Sequence, residues 1–272
     1  MDVILYIIIF IMGSIFGSFL TLATYRIPLN QDITHERSYC PNCNHKLSFF
    51  DLIPIFSYLF LGGKCRYCKK KISPRYLIIE VLTGLSFVVL ALALNIHITN
   101  ITNIQIIEFI IGVLYIIFLF LIGGIDKEHN KIDKRVLIYG VVIALTNIIY
   151  QYISCEKQFM TYNINRIAIY LVIIIILNMI NIMKTKQSKK VDYTIDLVIL
   201  IIIVGLFTYE VTAILTIVCT LLIIAFKLLI NKIMNKRKKY NKKMPIAFYI
   251  AISNAIIVLI SFSYLLGRWL WK

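Results

Sequence analysis

Long apolar stretches alternate with short polar gaps along almost the whole chain, and this alternation sets the architecture it predicts. A hydrocarbon core about 30 Å thick needs roughly 20 apolar residues in a helix to cross it. The stretches that meet or approach that length are Val3–Thr24, Tyr76–Leu94, Ile104–Ile125, Val136–Tyr152, Ile167–Met183, Asp196–Phe207, Val211–Ile230 and Ile246–Leu266. The sixth is short, and its border with the seventh falls at Thr208–Glu210. In lipid only helices and closed barrels satisfy every backbone N–H and C=O. The pattern therefore predicts an all-α polytopic membrane protein of about eight transmembrane helices. Its one long polar interval, 26–75, is expected to form a small loop domain between the first helix (1–25) and a transmembrane domain (76–272).

Composition agrees with lipid as the solvent. Of 272 residues, 60% are hydrophobic and 15% charged, and the mean hydropathy is +0.85. These values exclude a soluble globular domain. No Lys or Arg precedes the first stretch, and Tyr25-Arg26-Ile27-Pro28 follows it in place of a small-residue cleavage site, so it is expected to be a retained helix.

Charge predicts the orientation, because Lys and Arg in short loops stay on the cytoplasmic side. With the long loop inside, 24 Lys and Arg fall in inner loops and 4 on the opposite side, Lys227 lying within a span. The net charge of +16 then decorates one membrane face and meets anionic lipid headgroups. No nucleic-acid partner is needed to explain it. Usage rich in Ile, Lys and Asn points to a bacterial plasma (inner) membrane, crossed several times, with the long loop in the cytoplasm.

Within that loop, Cys40-Pro41-Asn42-Cys43 and Cys65-Arg66-Tyr67-Cys68 form two CxxC pairs. Two such knuckles present four thiolates to one tetrahedral ion, the donor set of a closed, structural zinc site. Two disulfides would need an oxidising compartment, which the predicted orientation denies. A loop of this size is too small to build much core of its own, so bound zinc would supply folding free energy. Cys155 and Cys219 stand alone and read as packing residues, and His45 as a surface histidine beside a filled ligand shell.

The loop and its flanks resemble the type IV prepilin peptidase family. Phe16-Gly17-Ser18-Phe19-Leu20 with Tyr25-Arg26-Ile27-Pro28 is similar to that family's opening motif. The two CxxC pairs, Asp51-x-Ile53-Pro54-x-x-Ser57-Tyr58, Ile72-Ser73-x-Arg75-Tyr76 and Glu80 continue the resemblance in order. It is densest over residues 13–84 and extends in outline over the chain, since the family also has about eight spans with basic inner loops. The resemblance implies a membrane aspartic endopeptidase that cuts the leader from prepilins or prepilin-like proteins at the cytoplasmic face. It also implies a possible N-methyltransferase activity using S-adenosylmethionine. The substrate would be a prepilin or pseudopilin.

Peptide hydrolysis without a nucleophilic Ser or Cys needs a catalytic metal or two carboxylates of unequal protonation. Acids near the inner ends of spans are Glu80, Asp126, Asp192 and Asp196, and an ionisable group at membrane depth is a functional suspect. Asp126 lies in Gly123-Gly124-Ile125-Asp126-Lys127-Glu128-His129-x-x-Ile132, similar to the family's first catalytic segment, although Asp133-Lys134 replaces its usual Pro-Asp. The family's second aspartate follows Gly-x-Gly; here the sequence is Tyr193-Thr194-Ile195-Asp196. Aligning Gly205-Leu206-Phe207 with a Gly-Leu-Phe of the family puts Asp196 within about one residue of the expected place, with Asp192 as the alternative. Asp126 and Asp196 are thus the expected catalytic pair. The competing expectation is a catalytically degenerate scaffold of pilus or competence assembly, its acids merely solvated at helix ends.

Overall fold

The computed structural model describes residues 2–35, 37–154, 168–170, 172–177, 179–180, 182–183, 193–208, 210–234 and 244–262. Its helices are α1 (Asp2–Arg26), α2 (Phe56–Phe60), α3 (Arg75–Ala93), α4 (Asn103–His129), α5 (Lys134–Ser154) and α6 (Ala168–Leu177). They continue with α7 (Tyr193–Phe207), α8 (Glu210–Met234) and α9 (Ile246–Phe262). There is no strand among the described residues, only the isolated bridges Tyr39–Lys46 and Lys64–Lys71. The protein is an all-α membrane protein: α1, α3, α4, α5 and α8 are long and apolar enough to cross a bilayer, and α6, α7 and α9 are shorter apolar helices.

Every predicted stretch coincides with a described helix in whole or in part, but the boundaries differ where chemistry is expected. α4 runs on past Ile125, so Asp126 lies inside its last turn. α7 begins at Tyr193, so Asp196 sits one turn within it. Hydropathy marks where apolar residues stop, whereas a helix continues until its backbone turns away. Asparagine does much of that turning: Asn30, Asn95 and Asn130 follow α1 with its 3-10 turn, α3 and α4 in the left-handed conformation, at φ 55°, 52° and 50°. Asn tolerates this conformation better than other residues with a Cβ.

The chain divides into two units, Met1–Ile117 and Phe118–Lys272. In the first, α1 packs on α3 through residues that let the two backbones touch. A Cβ on Gly13 would lie 2.8 Å from Gly84 Cα, and one on Gly17 would lie 2.8 Å from Glu80 Cα and against the Thr83 hydroxyl. Small residues four apart are how membrane helices approach closely when water supplies no hydrophobic drive between them. The opposite side of α1, with Val3, Ile7, Ile11 and Ile15, is exposed and suits lipid.

In the second unit, Phe118, Leu119, Ile122 and Ile125 of α4 are buried, as are Ile199, Leu200 and Ile203 of α7. Polar side chains add bonds between helices. Asn147 Nδ2 of α5 donates to the Phe207 carbonyl that ends α7, at 3.0 Å, and Asn254 Nδ2 of α9 donates to Thr216 Oγ1 of α8, at 3.0 Å.

Replacing Gly17 by Val forces α1 and α3 apart. The expected cost is about 1–3 kcal/mol, as for overpacked interiors, read as a lower midpoint of unfolding in detergent.

Candidate functional site

Two clusters of polar chemistry stand out, one in each unit. In the first unit the four predicted cysteines converge: the Sγ atoms of Cys40, Cys43, Cys65 and Cys68 all lie within 4.8 Å of one another. The two knuckles are built alike. Cys40 N–H donates to the His45 carbonyl and Asn44 N–H to the Cys40 carbonyl, at 3.0 and 2.8 Å; Cys65 with Lys70 and Lys69 repeats this at 2.9 and 3.0 Å. Asn44 and Lys69, each four residues beyond its cysteine, both take a positive φ, 56° and 59°.

Burial resists ionisation of the Cys40 thiol, but the N–H groups of Asn42 and Cys43 and the neighbouring thiols favour its thiolate and bring it down to about 7. The His45 N–H also favours a thiolate at Cys43, yet burial and the adjacent Cys40 and Cys68 push that thiol up to about 11. Thiols this close cannot all ionise without a cation between them. The donor set, four soft sulfurs without an oxygen ligand, suits a tetrahedral metal ion.

Asp51 braces the module. Its side chain is 3% exposed. It accepts from Ser48 N–H and Oγ at 3.0 and 2.7 Å, from Arg66 Nε at 2.6 Å and from Tyr67 Oη at 3.2 Å. Burial opposes ionisation there, but these donors hold the carboxyl below the usual range. Arg66 and Tyr67 are the two residues between Cys65 and Cys68, so Asp51 fixes the second knuckle from outside. At the loop's entry, buried Arg26 donates from Nη1 to the Asp32 carbonyl at 2.7 Å. His45 is exposed and lies against Tyr67, ring centroids 3.6 Å apart.

Glu80, buried on α3, accepts the Ile55 N–H at 2.7 Å. Ile55 has φ 64° and ψ −55°, and Phe56 N–H returns to the Pro54 carbonyl at 2.6 Å, closing a γ-turn. A β-branched residue in this conformation is strained by roughly 1–3 kcal/mol and persists only when its surroundings hold it. Glu80 is one such hold. Beside it a cavity of about 440 Å³ opens between the cysteine module and the ends of α1 and α3; Ser18, Arg26, Cys40, Asp51, Tyr76 and Glu80 are among its walls.

In the second unit, both predicted acids are buried, Asp126 at 0% and Asp196 at 1% exposure. Asp126 Oδ1 accepts the Tyr193 hydroxyl at 2.8 Å, and Oδ2 accepts the Phe248 N–H at 3.1 Å. Tyr193 Oη in turn accepts the Ile246 N–H at 3.1 Å. Asp126 therefore sits at the N-terminus of α9, where free N–H groups and the helix dipole favour a carboxylate. Tyr193 opens α7 three residues before Asp196, so its bond ties Asp126 to the turn that carries Asp196. Asp192, Cys155, Trp269, Trp271 and the basic run 236–239 lie outside the described residues. Cys219 is half-buried on α8.

Residues 11–94 match the family model described as the bacterial peptidase A24 N-terminal domain. Over this stretch the chain is similar to prepilin leader peptidases. It is 44% identical over 81 residues to the prepilin leader peptidase/N-methyltransferase of Myxococcus xanthus (strain DK1622), covering 30% of this chain and 24% of that protein. For the protein of the same description from Vibrio cholerae, identity is 43% over 95 residues, covering 32% and 36%. For that of Bacillus subtilis (strain 168) it is 36% over 132 residues, covering 48% and 50%. The chain thus spans at most half the length of these three curated relatives. No solved structure matches.

Sequence reasoning brought Cys40, Cys43, Cys65 and Cys68 together and placed both acids at helix ends. It missed Tyr193, Asp51 as a brace and the Glu80–Ile55 bond. Gly13-x-x-x-Gly17 was a legible sign of close helix packing; nothing in the sequence signals the γ-turn.

Replacing Glu80 by Ala removes the acceptor of the Ile55 N–H among the described residues, a loss of about 1–3 kcal/mol. Limited proteolysis of the 27–74 loop should accelerate in Glu80→Ala and stay near the parent rate in Glu80→Gln, which keeps an acceptor.

Proposed function

We propose that this chain is a membrane aspartic endopeptidase that removes the leader from prepilins or pseudopilins, with Asp126 and Asp196 as its catalytic pair. The observation that carries this reading is the Tyr193 bond, which links buried Asp126 to the first turn of the helix bearing buried Asp196. In such a pair one carboxylate takes a proton from the attacking water while the other, protonated, donates to the scissile carbonyl. Tyr193 and the Phe248 N–H orient Asp126 for that exchange. Burial keeps bulk water from competing for the same donors.

In this reading residues 76–272 form the peptidase domain and 26–75 a metal-binding module on the cytoplasmic face of a bacterial plasma membrane. The four cysteines would hold structural zinc, since four thiolates leave no open position for substrate. The proteins to which the first unit is similar are also described as N-methyltransferases. The cavity beside Glu80 has the size of a small-molecule site, and buried carboxylates of Asp51 and Glu80 in its wall suit a cationic sulfonium. S-adenosylmethionine bound there would supply a methyl group. Ser18, Asp51, Tyr76 and Glu80, which line this cavity, would hold it.

Two experiments test these assignments. Asp126→Ala and Asp196→Ala are each expected to abolish processing, leaving uncut prepilin on an immunoblot of cells expressing both proteins. Unchanged processing in both would leave only the non-catalytic scaffold. Purified protein should carry about one zinc per chain by elemental analysis. Cys40→Ser with Cys65→Ser should remove it and render the loop sensitive to protease.

A further inference from the structure

The polar loop carries an apolar surface that neither the metal module nor the carboxylates require. Phe49, Phe50, Phe56, Leu59 and Phe60 are 76, 68, 56, 60 and 84% exposed. They fall in one segment, from a 3-10 turn at Phe49–Asp51 to the short helix α2. We propose that this segment is inserted into the lipid interface and holds the cysteine module flat on the membrane.

Its depth follows from its attachment to α3. At 1.5 Å per residue, the 19 residues of α3 span ~28 Å, barely the thickness of the hydrocarbon core, so all of α3 is needed for the crossing. Glu80 is five residues into that helix, about 7–8 Å from its start at Arg75. Because Glu80 accepts the Ile55 N–H at 2.7 Å, the backbone that leads into α2 lies within a glutamate side chain's reach of that depth, toward the start of α3. Interfacial segments bury their apolar side chains about 5–10 Å into the headgroup and acyl boundary, which is the same level.

Two further features fit lipid as the occupant. Backbone N–H groups in low dielectric need internal partners. Along this segment Asp51, Leu52, Phe56, Ser57, Leu59 and Leu61 donate to carbonyls within the segment, at 2.6–3.1 Å, and Ile55 donates to Glu80. Charge is complementary as well: Lys64, Arg66, Lys69, Lys70 and Lys71, which follow directly, are all exposed and suit anionic headgroups. A soluble partner would leave the depth unexplained.

The test places a single tryptophan in the full chain, Phe60→Trp with Trp269→Phe and Trp271→Phe, in vesicles of phosphatidylglycerol and phosphatidylcholine. Phe49→Trp in the same background gives a second reporter. Brominated acyl chains are expected to quench the tryptophan about twofold, as for a side chain at the acyl boundary, while aqueous iodide leaves it unquenched. Quenching by iodide would overturn the proposal by placing the segment in water. Quenching by neither agent would also overturn it, because the segment would then be covered by protein, whether a substrate helix or a second copy of the chain.

Discussion

The close approach of α1 and α3 is the contact on which the first unit depends. Gly13 and Gly17 face Gly84, Thr83 and the Glu80 backbone, and no side chain fits between. The hydroxyls that fill this contact are satisfied within their own helices: Ser14 Oγ donates to the Phe10 carbonyl at 2.9 Å, and Thr83 Oγ1 to that of Ile79. With the two helices in contact, the ends of the 27–74 loop are pinned side by side. Much of the entropy cost of closing a loop of about 50 residues is then met before any ligand cluster forms. The remaining order comes from a few polar anchors, Arg26 at the entry, Asp51 on the second knuckle and Glu80 beneath Ile55.

In the second unit Tyr193 stands out against the pattern that the resemblance leads one to expect. Where related sequences are expected to place the first glycine of Gly-x-Gly-Asp, this chain has Tyr193, and its hydroxyl grips Asp126. A glycine there would let backbone approach the acid. Tyrosine reaches the same acid through a side chain and takes the Ile246 N–H as well, so one phenol joins the ends of α4, α7 and α9. The departure from the motif is thus accompanied by a different way of holding the carboxylate.

Much of the architecture was legible because lipid imposes a simple rule: an apolar stretch must be a helix, and its length is fixed by the bilayer. The cysteines were legible for a similar reason, since a tetrahedral ion dictates donor type and spacing. Asp126 and Asp196 could be picked out as buried-acid suspects, but not the helix turns that hold them. Those boundaries depend on where N–H groups find acceptors, and hydropathy carries no such information. Ile55 is the plainest case: a β-branched residue at φ 64° contradicts every local preference. The long-range bond to Glu80, 25 residues away, is one hold that keeps it there.

The three braced carboxylates differ in their partners according to where they lie. Asp51, in the polar loop, is held by a guanidinium along with neutral donors. Glu80 and Asp126, within helices that cross the membrane, are held by backbone N–H groups and a phenol. Desolvating an arginine to meet a carboxylate inside the bilayer costs more than supplying a dipole already fixed in the fold. Under the proposed reading this choice also serves the chemistry. A cation locked onto Asp126 would bind its ionised form and be left uncompensated whenever the acid took a proton. Neutral donors can accompany either protonation state with little rearrangement, as a carboxyl that must alternate between acid and base requires.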